Sequence, residues 1–241
     1  MSMEVLQNRQ QIESSRRELV RCGLSAVPGP VEKKVKELIT RSRLARPLIV
    51  GDVVKSWDVL KTVRFLQEKI QKSDPVLDIG CYASEVIVSL HKAGFADLTG
   101  IDLNAELRRM PHADSIRYVQ GDFLETPFED ASFAAVASIS VIEHGFDAAK
   151  LLCEIARILR PGGYFTASFD YWRKKVDTRE TRFFDMDWLI FSEDDVRAMI
   201  DVARANGFKP IGDLRFETSQ KAISHGGFEY TFGWIALQRS S

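Results

Sequence analysis

The chain has 241 residues, 45% of them apolar and 28% charged, an ordinary mixture for a soluble α/β domain with one sizeable core. Its 33 basic and 34 acidic side chains leave a net charge of -1, which argues against the broad positive field that nonspecific nucleic-acid binding needs. Cys22, Cys81 and Cys153 are far apart and odd in number, so neither a disulfide framework nor a zinc site is expected, and a reducing, cytoplasmic setting fits best.

Residues 1–48 read as a helical N-terminal extension or lid ahead of a single domain over 49–241. The first 20 residues are too polar for a signal peptide, and no apolar run approaches the ~20 residues a membrane span needs. Segments 4–22 and 31–43 are charged and helix-favouring, parted by "SAVPGP", whose prolines and glycine break the helix. The extension holds ten Lys/Arg against five Asp/Glu, an excess that a solvated helix face explains more simply than a binding role.

"KSWDVLKTVRFLQEKIQ" (55–71) places Trp57, Leu60, Val63, Phe65, Leu66 and Ile70 near helical spacing and predicts an amphipathic helix. Then the pattern alternates. "PVLDIG" reads as a strand, "EVIVSLHKAG" as a helix and "DLTGIDL" as a second strand. "SIRYVQGD" and "SFAAVASIS" are the third and fourth, and "DAAKLLCEIARILRPGG" is a helix stopped by Pro161. "YFTASFDYW" is the fifth strand. Strands separated by helices imply right-handed crossovers and a mainly parallel sheet, a Rossmann-like doubly wound α/β fold. A polar loop follows over 172–188. "SEDDVRAMIDVARANG" is then a helix, with Ser192 as N-cap and Gly207 at its stop. "FKPIGDLRF" and "FEYTFGWIALQ" have no helix between them, so the sheet is expected to end in an antiparallel pair.

In such sheets ligands bind beyond the carboxyl ends of the strands, where strand order reverses. Asp78 with Gly80 ends the first strand, Asp102 ends the second, and Asp122 follows the third. Asp102 lies 24 positions after Asp78, close to the spacing at which a second-strand carboxylate accepts hydrogen bonds from a ribose. Asp122 is suited to an adenine amino group, with Phe123 beside the ring. One such acid alone is as well explained as a turn former or helix cap; three at successive strand ends point to a nucleoside site.

These residues, with "VLDIGC", "LTGIDLN", "YVQGDFLETPFEDASFAAV", "ISVIEHGFD" and "EIARILRPGGYFTASF", resemble the class I S-adenosylmethionine-dependent methyltransferases over roughly residues 50–241. The resemblance implies a seven-stranded sheet with an antiparallel last strand and S-adenosyl-L-methionine as cofactor. It places Asp78, Gly80 and Cys81 on the methionine side, Asp102 and Leu103 at the ribose, Asp122 and Phe123 at the adenine, and Ser138 and Ile139 under the sulfonium. The family usually reads D-x-G-C-G-x-G, whereas this chain has Tyr82 and Ser84 at the later glycine positions. Serine is the next small residue. A tyrosine costs about 1 kcal/mol or more if its φ is positive; otherwise its ring covers the methionine tail.

The resemblance also sets Glu143 and His144 at the border of the active site, with His144 as the candidate base; a helix-start acid and a packed histidine are the alternative. Asp170 and Tyr171 end the fifth strand as further acceptor-side candidates. His91, His112 and His225 lack metal-ligand spacing. Arg173, Lys174, Lys175, Arg179 and Arg182 overhang the same mouth, either gripping an anionic acceptor or standing solvated beside Asp177 and Glu180. The expected activity is methyl transfer to a small molecule, at a hydroxyl of a sugar or natural-product intermediate, with no nucleic acid or membrane as partner and a homodimer as a possible assembly. A noncatalytic binding protein on the same sheet, or a nicotinamide-dependent oxidoreductase lacking its usual G-x-G-x-x-G, are the rival readings.

Overall fold

The computed structural model describes residues 2–29, 48–145, 147–183 and 185–240. Its centre is a short, fully buried strand, β2 (Val76–Ile79), flanked by parallel strands β3 (Leu98–Asp102) and β5 (Phe133–Ile139). β4 (Arg117–Gln120) lies outside β3, and β6 (Leu159–Tyr171) runs parallel to β5. The last strand, β11 (Phe228–Arg239), pairs antiparallel with β6. With β1 (Met3–Val5) beyond it the order is β1-β11-β6-β5-β2-β3-β4, β9 (Phe208–Pro210) and β10 (Ile223–His225) also pair with β11, and β7 (Arg182–Phe183) with β8 (Met186–Asp187) forms a separate antiparallel pair within the loop expected over 172–188. This is the expected mainly parallel, Rossmann-like sheet with its antiparallel end.

Helices cover both faces, as a parallel sheet requires. Helices α1 (Arg9–Arg21), α2 (Ser56–Lys69) and α3 (Glu85–Lys92) lie on one side, where Leu19, Val59, Val63, Val86 and Leu90 pack against Val76, Ala135 and Ala137. On the other side α4 (Ala148–Ile158) and α5 (Glu193–Ala205) pack Leu151, Ile155, Val196 and Met199 against Leu77, Val136 and Ile235. The period-two alternation of each strand thus divides the core into two halves. At the start of α5, Ser192 accepts from Asp195 N while Asp195 accepts from Ser192 N, a reciprocal capping box.

Three expected elements are corrected. The helix anticipated over 4–22 begins only at Arg9. Before it, Met3 and Val5 bury alternate positions as an edge strand, and Asn8 caps the helix by accepting from Gln11 N. The helix expected to reach Pro161 ends at Ile158, and residues 159–163 already belong to β6. Arg160 precedes a proline, which disfavours helical backbone. Gly162 takes φ 79°, and the register against β5 slips between Phe133 and Ala135. The strand expected over 208–216 is confined to Phe208–Pro210, because β1 occupies the next stretch of the same edge: β9 pairs with residues 237–239 of β11 and β1 with 233–235. The helix expected over 31–43 lies outside the described residues. Among those described, no helix is long and apolar enough to cross a membrane.

Candidate active site

Strand order reverses between β2 and β5, so their carboxyl ends diverge over a crevice. Gly80, at the exit of β2, takes φ 69°, and a Cβ there would come within 2.3 Å of Val141 Cγ2. Only glycine lets the two exits pass this closely. The next left-handed residue is Ala83 (φ 60°), so Tyr82 does not carry the positive φ that its position suggested. Instead Tyr82 N donates to Asp102 Oδ2 at 2.9 Å and its hydroxyl donates to Glu106 Oε2 at 3.2 Å, turning the ring toward the ribose side. Ser84 caps α3 by accepting from Val86 N.

Asp102, half-buried at the end of β3, also accepts from Asn104 N at 2.8 Å, and Leu103 beside it is 57% exposed. Asp122 is exposed and accepts from Leu124 N at 2.8 Å, while Phe123 lies half-buried against the core. Cys81 is displaced from its expected role: its thiol is fully buried, and a Cβ on Gly100 would approach Cys81 Sγ to 2.6 Å. Only the Cys81 backbone therefore borders the loop. Asp78 is buried, and neither carboxylate oxygen has a hydrogen bond of normal geometry. Burial pushes its carboxyl up to about 7; nearby Ser84 opposes this and the charge of Asp102 adds to it. A glycine exit, an unpartnered acid and a half-buried carboxylate one strand away fit a nucleoside cofactor that carries a positive group.

The acceptor side is built differently. Thr166, Ser168 and Asp170 form a polar stripe on β6, alternating with the core residues Ala167 and Phe169. Ser168 donates to Asp58 Oδ2 at 2.8 Å, which brings in the first turn of α2. Lys55, on the 3₁₀ turn Val53–Lys55, places Nζ 3.7 Å from Asp170 Oδ1 and 3.7 Å above the Phe232 ring. Trp188 Nε1 donates to Asp170 Oδ2 at 2.9 Å. Glu143, buried just past β5, lines a cleft of about 670 Å³ whose other walls include Lys175, Asp177, Arg179 and Trp188.

These acids are incompletely satisfied. Asp58 Oδ1, Glu143 Oε2, Asp170 Oδ1 and Thr166 Oγ1 are buried without a hydrogen-bond partner, as are the hydroxyls of Ser138 and Ser140 at the end of β5. Burial pushes Asp58 up to about 6 against the pull of Lys55 and Ser168. Burial and the neighbouring Asp170 charge push Glu143 well above the usual carboxylate range, against the pull of Lys55. His144 is pulled below its usual value by burial; Asp170 opposes this and Lys55 adds to it, so the imidazole is uncharged at pH 7. The segment carrying these two residues is held by Leu189 N donating to Glu143 O and Gly145 N donating to Asp187 O.

Four of the five basic residues of the loop are paired in place: Arg173 with Glu193, Lys175 with Asp195, Arg179 with Asp177 and Arg182 with Asp187. His91 and His112 stack at 4.4 Å, and among the described residues no group of three or more His, Cys, Asp or Glu side chains could hold a metal ion. Sequence reasoning missed Lys55, Asp58, Arg16 and Glu85. The signal for Asp58 was its place within the apolar run of α2, among buried Trp57, Val59 and Leu60. Arg16 and Glu85 carry no local signal. They form a buried bidentate pair at 2.7 and 2.6 Å that ties α1 to the first turn of α3, and Glu85 Oε1 also accepts from Ala26 N.

Residues 77–167 match the family described as "Methyltransferase domain". A sterol 24-C-methyltransferase of Gibberella zeae is 28% identical over 170 residues, covering 64% of this chain and 39% of that protein. A fatty-acid O-methyltransferase of Mycolicibacterium smegmatis is 38% identical over 100 residues, covering 37% of this chain and 35% of its own length. The chain therefore spans well under half of these relatives. A solved S-adenosylmethionine-dependent methyltransferase of Methanosarcina mazei shares the fold, with a TM-score of 0.54 at 19% identity over 73% of this chain and 97% of that one.

Proposed function

Since the chain belongs to the class I S-adenosylmethionine-dependent methyltransferases, with the methyltransferase domain at residues 77–167, we propose that it methylates a hydroxyl of a small polar molecule, a sugar or natural-product intermediate. The observation that carries this reading is the group of buried oxygens without partners around Asp58, Glu143, Thr166 and Asp170, beside an uncharged His144. Buried polar groups are normally paired, and a hydrogen-bonding acceptor pairs them where a hydrocarbon would not.

When bound, S-adenosylmethionine would supply a methyl carbon activated by a sulfonium, with the sulfur as leaving group to an acceptor oxygen. The protein's part is alignment, exclusion of water and removal of one proton. Asp102 would hold the ribose hydroxyls, Asp122 and Phe123 would border the adenine, and Asp78 with the Gly80 loop would take the methionine end. Glu143 orients the acceptor by donating its proton as a hydrogen bond. His144 takes the hydroxyl proton and releases it through the cleft.

Calorimetry with S-adenosylmethionine, S-adenosylhomocysteine and NAD tests the first half of this reading. Both sulfur ligands should bind and NAD should not; no heat from either sulfur ligand at about 1 mM, a bound free energy of about 4 kcal/mol, rejects it. Asp102→Ala should weaken both by tenfold or more, since a hydrogen bond to a charged group contributes about 1.5–3 kcal/mol. For the second half, His144→Gln should slow methyl transfer to hydroxylated acceptors about 100- to 10,000-fold while leaving cofactor affinity unchanged.

A further inference from the structure

Lys55 Nζ stands 3.7 Å from Asp170 Oδ1 of β6 and 3.7 Å above the Phe232 ring of β11, and its charge also reaches Asp58 of α2 and Glu143 and His144 of the segment after β5. Tyr230, also on β11, lies beside Asp170 and has its hydroxyl pushed up by burial and by that carboxylate. The Lys55 side chain is 24% exposed and that of Asp170 6%. At 3.7 Å the ammonium meets Asp170 as a charge rather than through a hydrogen bond, and among the described residues no hydrogen bond ties Nζ elsewhere. Lys55 thus reaches a buried acidic group in which Asp58 Oδ1, Glu143 Oε2 and Asp170 Oδ1 lack hydrogen-bond partners.

We propose that Lys55 is a positioning residue of the acceptor site, its ammonium anchored on Asp170 beside Asp58, Glu143 and His144 so that the imidazole remains the group that takes the acceptor's proton. The inference rests on the methyl-transfer reading above. A cation among these acids works against their collecting a proton onto the neighbouring histidine: without it, only burial opposes the stabilisation of an imidazolium by Asp170. A charged imidazole has no lone pair for the acceptor O–H, and proton transfer stops. Lys55 comes from the turn just ahead of α2, so the first turn of the domain contributes to the site.

The test reads the His144 imidazole by NMR titration of the full chain, assigned with His144→Gln. Lys55→Met should move its titration midpoint upward by about half a pH unit or more, and Lys55→Arg should leave it near the parent value. In turnover, the acidic limb of the kcat profile should move up with it, with S-adenosylhomocysteine affinity unchanged. A midpoint that stays put in folded Lys55→Met overturns the proposal, as does a shift in Lys55→Arg equal to that in Lys55→Met, which would assign the effect to packing. If Lys55→Met does not fold, Lys55→Gln takes its place with the same expectation. The titration needs neither cofactor nor acceptor, so its failure is distinct from failure of the methyl-transfer reading, which calorimetry decides.

Discussion

The two sides of the crevice solve opposite problems. On the cofactor side the acids at the ends of β3 and β4 are already engaged by neighbouring backbone: Asp102 accepts from Tyr82 N and Asn104 N, and Asp122 from Leu124 N. They are oriented before any ligand arrives, and Asp78 at the end of β2 is the buried, unpartnered acid of that side. On the acceptor side Asp58, Glu143 and Asp170 are buried with oxygens unpartnered, and one ammonium stands among them. Oriented, half-solvated acids suit a constant cofactor. Buried, unsatisfied ones make a site whose energy depends strongly on what fills it, which is where selectivity for an acceptor arises.

The comparison is most easily broken at the clamp beneath the cofactor loop. Arg16→Met leaves the Glu85 carboxylate buried without its cation, and loss of one partner of such a pair costs about 3–5 kcal/mol. Denaturant unfolding should show that loss, and a change below about 1 kcal/mol would mean that α1 is not part of the cofactor side's support.

The acceptor side is sharpened by pH. Asp58 has an ordinary value of 3.8 and is raised to about 6 in the folded chain, so the native state holds its proton more tightly than the unfolded state does. Its contribution to stability is complete below the ordinary value and is lost as pH rises through 6. Asp58→Asn removes that dependence. The stability of the variant relative to the parent should therefore improve by about 3 kcal/mol between pH 3 and pH 8, measured by urea unfolding at each pH. A flat difference would show that Asp58 is not desolvated, and the contrast between the two sides would shrink.

The smallest effect is expected at Tyr82. Its hydroxyl meets Glu106 near the surface, so Tyr82→Phe should change stability by no more than about 0.5 kcal/mol and cofactor affinity by less than about twofold. A tenfold loss of affinity would place that hydroxyl on the cofactor and make the tyrosine a functional replacement for the usual glycine.

Much of the cofactor side was legible in the sequence because its signals are local. A strand ending in Asp-x-Gly, an acid at the next strand end and a third after the following strand are each separated by one crossover, and the fold returns them to the same edge of the sheet. Ser84 as a small residue at the start of α3 was equally readable, and it caps that helix. What misled was also local: the polar pattern of residues 4–22 concealed a three-residue strand, whose only mark is the burial of Met3 and Val5 on either side of Glu4. Three residues carry too little periodicity to separate a strand from a helix start.

Chain order and side-chain chemistry determined the alternation of strands and helices, the antiparallel end of the sheet, the glycine at the crevice and the acids at the ends of β2, β3 and β4. Tertiary structure alone decided that Tyr82 turns toward Glu106, that the Cys81 thiol faces the core, that Arg16 reaches Glu85 across 69 positions, and that Lys55 and Asp58 join Glu143 and Asp170. The physical reason is range. Turns, caps and strand ends are governed by residues a few positions apart, whereas a buried charge acquires its partners only when distant elements close around it, and its protonation follows from that enclosure.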